Sequence, residues 1–447
     1  MTRGAVLLFS FLLSVSLPAQ RSLKSLSASE WINAGPMLGY VHMKEAHLWI
    51  QTKKPAEVAI HYRPLGSNQN WTTTEVIKTE SKTANTAKFV LDEVLPGKVY
   101  EYKVFVNGSQ LNFPNSLTFK TLVDWRFRQD PPEFTILAGS CSYFNEDIAD
   151  RPGRPYGGDY QIFEKMADMK ADVMLWLGDN VYMRPIDFGS RRGFLHRYTH
   201  DRSYPQLQRF LQTGSHIAIW DDHDFGPNDA NGSYVGKVWA HEAFRLFWAN
   251  PPMVQFGCEN SIASAMEFND VHIFLLDNRS FRTEIMNNGQ HQIFGREQLD
   301  WLINNLKYSN ALFKLVCAGG QMVSDAKVFE NFANYEEERA YLFRRIEEEN
   351  IKGVIFLTGD RHHSEVCLMT NRKGNKIFDF TTSPLTSGAV TKKVEENSYR
   401  INGSLIQQRN FLALYFSGKQ GERKLQAIFY SSDGDKLFEY TIHQKEL

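Results

Sequence analysis

Two patterns of hydrophobic and polar residues divide the chain. Up to about residue 120, short segments in which apolar and polar residues alternate are separated by turn residues such as Asn107-Gly108. Alternation with a period of two is typical of antiparallel strands that bury one face. The pattern therefore predicts an antiparallel β-sandwich, with strands at residues 47–50, 58–62, 88–91 and 100–106.

Within this part of the chain, residues 95–102 resemble the tyrosine corner of fibronectin type III modules. They read Leu-Pro-Gly-Lys-Val-Tyr-Glu-Tyr, and the resemblance implies that Tyr100 forms a structural hydrogen bond. We predict an all-β fibronectin III-like or immunoglobulin-like domain over residues 28–126 that packs against the rest of the chain or orients it. A role in binding a glycan or a partner is the alternative.

After Pro131-Pro132, apolar runs alternate with amphipathic segments of helical period. This arrangement predicts a second domain, of the α/β class, over residues 131–447. Its predicted strands are residues 134–137, 173–177, 217–220, 271–276, 314–316, 353–357 and 376–380. Helices are predicted at residues 296–307 and 335–349, the second with Asn334 as its N-terminal cap.

Four of these strands run directly into polar segments, which we call the strand-end clusters. They are Gly139-Ser140-Cys141-Ser142, Gly178-Asp179-Asn180-Val181-Tyr182, Asp221-Asp222-His223-Asp224 and Gly359-Asp360-Arg361-His362-His363. Ligand sites in open α/β sheets form outside the carboxyl ends of strands, so we expect the clusters to meet in one crevice. Their thiol, phenol, carboxylates and imidazoles suit a site for two cations better than a Ser-His-Asp triad. Any one cluster could consist of caps and turns, but four in series argue against that interpretation.

Several other hydrolase motifs find no match in the chain. The cysteines lack the sulfatase motif, no Gly-x-Ser-x-Gly nucleophile elbow is present, and His241-Glu242 lacks the second histidine of a zincin. The alternative to an enzyme is a secreted adhesion or glycan-binding protein with a non-catalytic α/β scaffold. Stoichiometric transition metal in the purified protein would distinguish the enzyme from this alternative.

Composition excludes further classes of protein. The chain has 50 Lys+Arg against 51 Asp+Glu, a formal net charge of −1, which argues against a nucleic-acid-binding role. Its 42% hydrophobic and 13% aromatic residues are enough for full-sized cores and exclude a disordered chain. Four scattered cysteines exclude a disulfide scaffold or a zinc ribbon.

The first twenty residues predict a secretory signal peptide. Arg3 is followed by an almost continuous apolar run from Ala5 to Leu17, which ends in Pro18-Ala19-Gln20. At ~1.5 Å per residue this run is too short to cross a ~30 Å hydrocarbon core. We therefore expect an exported, periplasmic or extracellular protein without a transmembrane segment, and a monomer.

The strand-end clusters resemble the motifs of the alkaline phosphatase D-like (PhoD-like) family of calcineurin-like metallophosphoesterases. The matching segments, in order, are residues 139–141, 176–182, 220–224, 276–282 and 358–362. The resemblance covers essentially the whole chain after the signal peptide. It implies a metallophosphoesterase domain built as a two-sheet β-sandwich flanked by helices, and a binuclear metal centre. The implied function is that of an alkaline phosphatase/phosphodiesterase, in which we expect a metal-bound hydroxide to attack phosphate mono- or diesters.

The resemblance also implies a ligand set for the first metal ion. Asp179 is the residue that bridges both ions, because a carboxylate can offer one oxygen to each. Tyr182 lies three residues on, a spacing similar to that of the tyrosinate ligand in purple acid phosphatases. Cys141 and His362 complete this first site, whose anionic donors favour Fe³⁺.

Asp222 and Asp360 are the implied ligands of the second ion. Their oxygen donors favour a hard ion, so Ca²⁺ is expected, with Mn²⁺, Mg²⁺ or Zn²⁺ as alternatives. Asn228 and Asp229 are weaker candidates for this site, and His363 is equally compatible with direct ligation and with contact to a ligand.

The catalytic roles fall on Asp179, His223 and Arg361. His223 is expected to act as a general acid at the leaving-group oxygen, and direct metal ligation is the alternative. Arg361 lies between two predicted ligands and is expected to contact the phosphate. Asp221 or Asp224 could orient His223 or cap a strand end.

Two further predictions concern cationic residues. One or two side chains of the basic segment after Tyr182 are expected to reach the substrate, from Arg184, Arg191, Arg192, His196, Arg197, His200 and Arg202. Asp277, Arg279 and Arg282 are predicted to form a buried ion-pair network that supports the site.

Overall fold

The computed structural model describes residues 26–284 and 291–447. The predicted signal peptide lies outside the described residues. The strands of the first part are β1 (Leu26–Ser27), β2 (Ile32–Val41), β3 (Ala46–Thr52), β4 (Glu57–Pro64), β5 (Thr72–Thr73), β6 (Ile77–Lys78), β7 (Thr86–Leu91), β8 (Val99–Val106), β9 (Ser109–Asn112) and β10 (Thr118–Lys120). The remaining strands are β11 (Phe134–Gly139), β12 (Val173–Leu177), β13 (Ser215–Ile219), β14 (Ser264–Phe268), β15 (Val271–Leu275), β16 (Phe313–Ala318), β17 (Val354–Thr358), β18 (Glu365–Thr370), β19 (Lys376–Thr381), β20 (Asn410–Ser417), β21 (Lys424–Ser431) and β22 (Lys436–His443).

The helices lie mostly between strands of the second part. They are α1 (Ala28–Trp31), α2 (Ile162–Asp168), α3 (Arg191–Arg202), α4 (Pro205–Leu211), α5 (Asp222–Phe225), α6 (Lys237–Phe247), α7 (Arg296–Tyr308) and α8 (Glu336–Glu348). Among the described residues, each helix falls short of the length and apolar character that crossing a membrane would require.

Three sheets organise the strands. A seven-stranded sheet has the order β1-β9-β8-β4-β5, with β10 paired to β8 and β6 paired to β4. A nine-stranded sheet has the order β22-β21-β20-β11-β12-β13-β2-β3-β7, and a six-stranded sheet the order β14-β15-β16-β17-β19-β18. Strands β11, β12 and β13 are parallel, as are β15, β16, β17 and β19. The carboxyl ends within each parallel set therefore meet at one edge of its sheet.

The nine-stranded and six-stranded sheets pack face to face. One continuous core contains Leu175 of the first sheet and Ile273 and Leu357 of the second. On the outer side, Trp176 packs against Phe163 of α2, with 6.1 Å between the ring centroids. Helices α7 and α8 cover the six-stranded sheet and share a separate core with it. Mixed sheets between layers of helices agree with the predicted α/β class.

The nine-stranded sheet is also part of the N-terminal region, because β2, β3 and β7 are its last three strands. These strands pack against the seven-stranded sheet around a core that includes Leu48, Ile60 and Val104. The expected β-rich N-terminal region is present. The seven-stranded sheet belongs to this region alone. The other layer, formed by β2, β3 and β7, is continuous with the nine-stranded sheet of the second part.

The junction between the two regions leaves no room for a side chain. The backbone N–H of Tyr40 donates to the carbonyl of Ala249 at 2.8 Å, and the Ser215 hydroxyl donates to the carbonyl of Gly39. A Cβ at Gly39 would lie 2.2 Å from the Ala249 oxygen. The close approach therefore depends on glycine at this position.

Tyr100 makes the structural hydrogen bond that the sequence predicts. The backbone N–H of Leu95 donates to its hydroxyl at 2.8 Å, and its ring stacks on Phe119 with centroids 5.1 Å apart. The predicted cap of α8 is wrong, because the Asn334 side chain donates to the carbonyl of Phe329 at 2.7 Å and Tyr335 occupies the N-cap position. The other predicted helices and strands lie close to the positions that the structure shows, and β12 has the predicted bounds.

Candidate metal centre

The strand-end clusters meet at one side of the sandwich. Strands β11, β12 and β13 reach this point from the nine-stranded sheet and β17 reaches it from the six-stranded sheet. The loops that follow line a cavity of about 1110 Å³. Predicted site residues in its lining are Asp179, Tyr182, Asp222, His223, Asp360, Arg361 and His362. Cys141 is fully buried and contacts the carboxylate of Asp179.

Glycine allows the two sheets to approach each other here. A Cβ at Gly359 would lie 2.6 Å from the Cβ of Ser140 and 2.8 Å from the carbonyl oxygen of Leu177. Distances under 3 Å require one of the neighbours to move. The clusters of the two sheets are therefore as close as the backbone allows.

The first group of donors consists of Cys141, Asp179 and His362, whose ligand atoms lie within 4.8 Å of one another. The Tyr182 hydroxyl adds a fourth donor, because it donates to Asp179 Oδ2 at 3.1 Å and lies 3.2 Å from His362 Nε2. Ligand atoms about 2–2.5 Å from a shared ion are separated by such distances. These four side chains fit around one cation.

A second group consists of Asp179, Asp222 and His223, again with ligand atoms within 4.8 Å. Asp179 belongs to both groups. Its Oδ2 faces Cys141 and Tyr182, and its Oδ1 accepts the backbone N–H of His223 at 3.3 Å. Two adjacent cations could thus share this carboxylate. The imidazole of His223 is close enough to both carboxylates to contact the same cation.

Asp360 lies in the same cavity but in neither of these groups. The residue is partly buried, and its buried Oδ2 has no hydrogen-bond partner among the described residues. An unpaired buried carboxylate oxygen is costly unless a cation or water satisfies it. This orphaned atom therefore fits a role toward the second cation.

Four of the predicted ligands adopt the left-handed backbone conformation. Their φ angles are 61° at Cys141, 50° at Asp179, 67° at Asp360 and 54° at His362. A residue with a side chain seldom adopts positive φ, which costs of order 1–3 kcal/mol and persists only where the surrounding structure enforces it. The shared strain points to a functional constraint on these positions.

The site concentrates acidic groups that lack a matching positive charge. Burial, followed by the charge of Asp222, raises the pKa of Asp179 well above its ordinary value. Burial and then Asp221 raise the pKa of Asp360, and burial together with Asp179 raises the pKa values of Cys141 and Tyr182. A bound cation reverses such shifts, because it stabilises the deprotonated form of each group.

The pKa values of His362 and Asp222 are shifted in the opposite direction, below their ordinary values. Burial and then the charge of His223 lower the pKa of His362 to about 4, which favours the neutral imidazole that a metal ligand requires. Burial opposes ionisation of Asp222, but the charges of His223 and Arg279 lower its pKa to about 2. The Asp222 carboxylate also accepts the backbone N–H of Asp229 at 2.8 Å.

Tyr156 is a site residue that no sequence pattern indicates. Its hydroxyl lies 3.0 Å from Nδ1 of His362, while Nε2 of the same ring faces Tyr182. Its loop is held by Arg409, which donates to the carbonyls of Tyr156 and Ser387 at 3.1 and 2.9 Å. Because a metal-binding imidazole usually has a partner on its other nitrogen, Tyr156 fits that position.

Arg361 lies in the cavity wall as the sequence predicts. It donates to Glu395 at 2.6 Å, and its guanidinium lies 4.4 Å from the centroid of the Phe329 ring. Arg184 is the member of the predicted basic segment that lines the cavity. The other six side chains of that segment lie elsewhere, and Arg197, for example, pairs with Glu146 and Asp187 at 2.6 and 3.0 Å.

Asp221 and Asp224 do not orient His223. Asp221 accepts from Asn278 and from Nε of Arg279, each at 2.7 Å. Asp224 accepts the backbone N–H of Asn180 at 3.1 Å. Both carboxylates thus serve the framework behind the site.

The predicted ion-pair network contains its two arginines but has a different acidic partner. Arg279 and Arg282 both pair with Glu330, the latter at 2.8 Å. Asp277 instead accepts from Nε1 of Trp220 at 2.9 Å. Glu330 follows a segment without strand or helix signals, so the sequence alone does not single it out.

The remaining candidates lie at the cavity wall. Asn228, Asp229 and His363 all line it. Nδ1 of His363 is 3.1 Å from the carbonyl oxygen of Arg361, and Nε2 is 3.7 Å from Glu365. These contacts direct the imidazole toward the framework and favour support of the ligand loop over direct ligation.

Comparison with known proteins relates this geometry to a family. A family model described as PhoD-like phosphatase matches residues 136–427, and a model described as a domain of unknown function (DUF7800) matches residues 29–123. The chain is similar to alkaline phosphatase D of Bacillus subtilis (strain 168), with 25% identity over 356 residues, or 66% of this chain and 57% of that relative. The chain thus spans little more than half the length of this relative. A solved structure described as the structure of PhoD matches with a TM-score of 0.74 at 17% identity, over 92% of this chain and 93% of that one, which is a likeness of fold.

Proposed function

Because the chain belongs to the PhoD-like phosphatase family, we propose that it hydrolyses phosphate mono- and diesters at a centre of two metal ions. The observation that carries this proposal is the position of Asp179, which belongs to two separate groups of donors. One acidic cluster alone would be weak support. Two clusters that share a carboxylate are what a binuclear centre requires.

The donor sets suggest different ions for the two positions. Cys141, Tyr182 and His362 would hold the first ion together with Asp179, and their anionic donors suit Fe³⁺. Asp222 and Asp360 would hold the second, for which Ca²⁺ is the proposed ion and Mn²⁺, Mg²⁺ or Zn²⁺ are alternatives. When bound, two such cations supply Lewis-acid activation of water and neutralise charge on the phosphoryl group.

The protein's own residues would bind and orient the ester. Arg361 in the cavity wall would hold a phosphoryl oxygen through a charge-assisted hydrogen bond. His223 would donate a proton to the leaving-group oxygen, since it lies in the cavity beside Asp179. Tyr156 would fix the ring of His362 through Nδ1.

The organisation of the chain completes the proposal. We assign residues 28–126 to a fibronectin III-like or immunoglobulin-like domain that orients the rest, and residues 131–447 to a metallophosphoesterase catalytic domain. Residues 1–20 would direct export to the periplasm or the extracellular space. The mature protein would act as a monomer on a phosphoester substrate.

Metal analysis combined with activity tests this function. We expect elemental analysis to find two metal ions per chain, and hydrolysis of aryl phosphates to stop after chelation and return when metal is added. Asp179→Asn should abolish hydrolysis and reduce metal content, while Asp168→Asn, at an exposed position outside the cavity, should change neither. A fully active protein without stoichiometric metal would contradict the proposal.

A further inference from the structure

The cavity wall contains an ion pair that the proposed catalytic roles do not use. Arg361 donates through Nη2 to Oε1 of Glu395 at 2.6 Å. The Arg361 side chain is 6% exposed and the Glu395 side chain 21% exposed, so the pair is largely withdrawn from water. Glu395 lies outside the strand-end clusters, in the segment between β19 and β20. It nevertheless lines the same cavity.

Glu395 carries a negative charge at neutral pH. Burial opposes its ionisation, but a backbone N–H and the charge of Arg361 lower its pKa below the ordinary value. The positive charge of Arg361 is thus balanced within the protein before substrate binds. A phosphoryl oxygen held by Arg361 would share one guanidinium with this carboxylate. Like charges that close repel appreciably at protein dielectric.

A phosphate monoester carries close to two negative charges above its second pKa of about 6, whereas a diester carries one. Both substrates would meet the same two cations, but the second charge of the monoester is additionally repelled by Glu395. We propose that Glu395 is a specificity-determining residue that makes the site favour phosphodiesters over phosphate monoesters. This inference rests on the proposed phosphoesterase function.

Other charges at the cavity wall do not cancel this effect. Lys392, Lys393, Arg151 and Arg154 line the outer cavity, but they are exposed and therefore screened by water and salt. Arg184 is paired with Asp150 at 3.1 Å. Glu395 is the partly buried charge in direct contact with the proposed phosphate-binding arginine.

The cavity also has room for the second ester group of a diester. Its volume is about 1110 Å³, much larger than a phosphoryl group needs. In addition to the Arg361–Glu395 pair, the cavity is lined by apolar and aromatic side chains, namely Phe329, Val390, Val394, Pro152 and Tyr156. An uncharged ester substituent can be accommodated there at little electrostatic cost.

A matched pair of substrates separates the charge effect from size and leaving group. The metal-loaded wild type and Glu395→Gln are compared on p-nitrophenyl phosphate and on its methyl ester at pH 8, where the two differ by one charge and one methyl group. Glutamine keeps the oxygen that accepts from Arg361 and removes only the charge. For each substrate, kcat/KM of the variant is divided by kcat/KM of wild type, which removes the intrinsic reactivity of that substrate from the comparison.

We expect Glu395→Gln to raise kcat/KM for the monoester relative to the diester by about tenfold, with a smaller effect at high salt. Inorganic phosphate should also inhibit the variant more strongly than the wild type. Glu396→Gln, at a neighbouring side chain that is 96% exposed, should leave the ratio unchanged.

The outcomes also separate this inference from the proposed function. An active Glu395→Gln variant with an unchanged ratio, or with equal losses for both substrates, would show that Glu395 only positions Arg361 and would overturn the inference alone. A metal-loaded wild type that hydrolyses neither substrate would overturn the proposed function together with the inference. Metal content and the thermal midpoint of each variant show that the comparison concerns folded, loaded protein.

Discussion

At the scale of single residues, His223 decides between two interpretations of the second donor group. Its ligand atom lies within 4.8 Å of those of Asp179 and Asp222, yet its proposed role is proton donation. As a general acid, His223→Ala should retain both metals and slow esters with poor leaving groups by about 10²–10⁴-fold. The loss should be much smaller for p-nitrophenyl esters, whose leaving group departs without a proton.

Two measurements test this role: the metal content of the His223→Ala variant, and its hydrolysis rates over a series of esters with different leaving groups. His443→Ala, at an exposed histidine near the C-terminus, serves as the control. Loss of a metal ion from the His223→Ala variant, or equal slowing of all leaving groups, would assign His223 to ligation instead.

Tyr156 tests whether His362 is held through both of its nitrogens. Tyr156→Phe removes the hydroxyl 3.0 Å from Nδ1 of His362 and leaves the ring in place. We expect the affinity for the first metal ion to fall by about 10–100-fold, because partners of metal-binding histidines have effects of this size. Competition with a chelator measures the affinity, and Tyr308→Phe, at a tyrosine that is 82% exposed, should have no effect. Equal metal affinity in wild type and Tyr156→Phe would contradict the role.

His216 makes stability depend on pH far from the cavity. Its Nδ1 accepts from Nε1 of Trp176 at 3.1 Å and its Nε2 faces the carbonyl of Phe210 at 3.0 Å, so the ring is neutral and both nitrogens are satisfied. Burial, followed by the charge of Arg202, lowers its pKa to about 3 from 6.5. A histidine with a lowered pKa stabilises the fold fully above its unfolded pKa, and this contribution is lost as the pH falls.

The stability advantage of wild type over His216→Gln should therefore shrink on acidification. From the linkage relation we expect it to fall by roughly 1.5 kcal/mol between about pH 6.5 and 5, as measured by denaturant unfolding at each pH. A difference that stays constant with pH would contradict the assignment of a neutral, buried ring.

At the scale of elements, the site depends on how closely two sheets approach at their strand ends. Gly359 follows β17, and Ser140 follows β11. A Cβ added at Gly359 would lie 2.6 Å from the Cβ of Ser140. Gly359→Ala should therefore push the two clusters apart and weaken metal binding and activity by at least tenfold, with a stability loss of about 1–3 kcal/mol from overpacking. Gly189→Ala, where a Cβ would meet no atom within 4 Å, is the control. Unchanged metal affinity in Gly359→Ala would show that the approach of the sheets does not determine the site.

At the scale of the whole molecule, the nine-stranded sheet joins the two regions into one packed unit. Trp49 of β3 is fully buried, donates to the carbonyl of Leu246 at 2.8 Å and packs against Phe247 with ring centroids 5.8 Å apart. Trp49→Ala should destabilise the protein by about 3–5 kcal/mol. Calorimetry should show one transition for the full chain and a large downward shift in the variant.

A control tryptophan is available in the same region. Trp71 is partly exposed and stacks on Arg63 at 4.3 Å, away from the shared sheet, so Trp71→Ala should have a small effect. If Trp49→Ala lowered only a separate transition of the N-terminal region and left the catalytic part unchanged, the two regions would not be thermally coupled.

The sequence by itself determined the local features of this protein. Strand β12 has its predicted bounds because a continuous apolar run between polar residues marks a buried strand. The clusters around Asp179, Asp222 and Asp360 were detectable because they directly follow such runs. The hydrogen bond of Tyr100 depends on a short segment, so it too could be predicted locally.

Only the tertiary structure decided which distant groups meet. Tyr156, Glu330 and Glu395 join the site from segments without periodic patterns, and their roles depend on which loops pack against the cavity. The two regions share the nine-stranded sheet because β2 pairs with β13, and these strands are more than 170 residues apart. Hydrophobic periodicity specifies which face of a strand is buried, but it does not specify the strand or side chain that covers it, because burial free energy is non-directional.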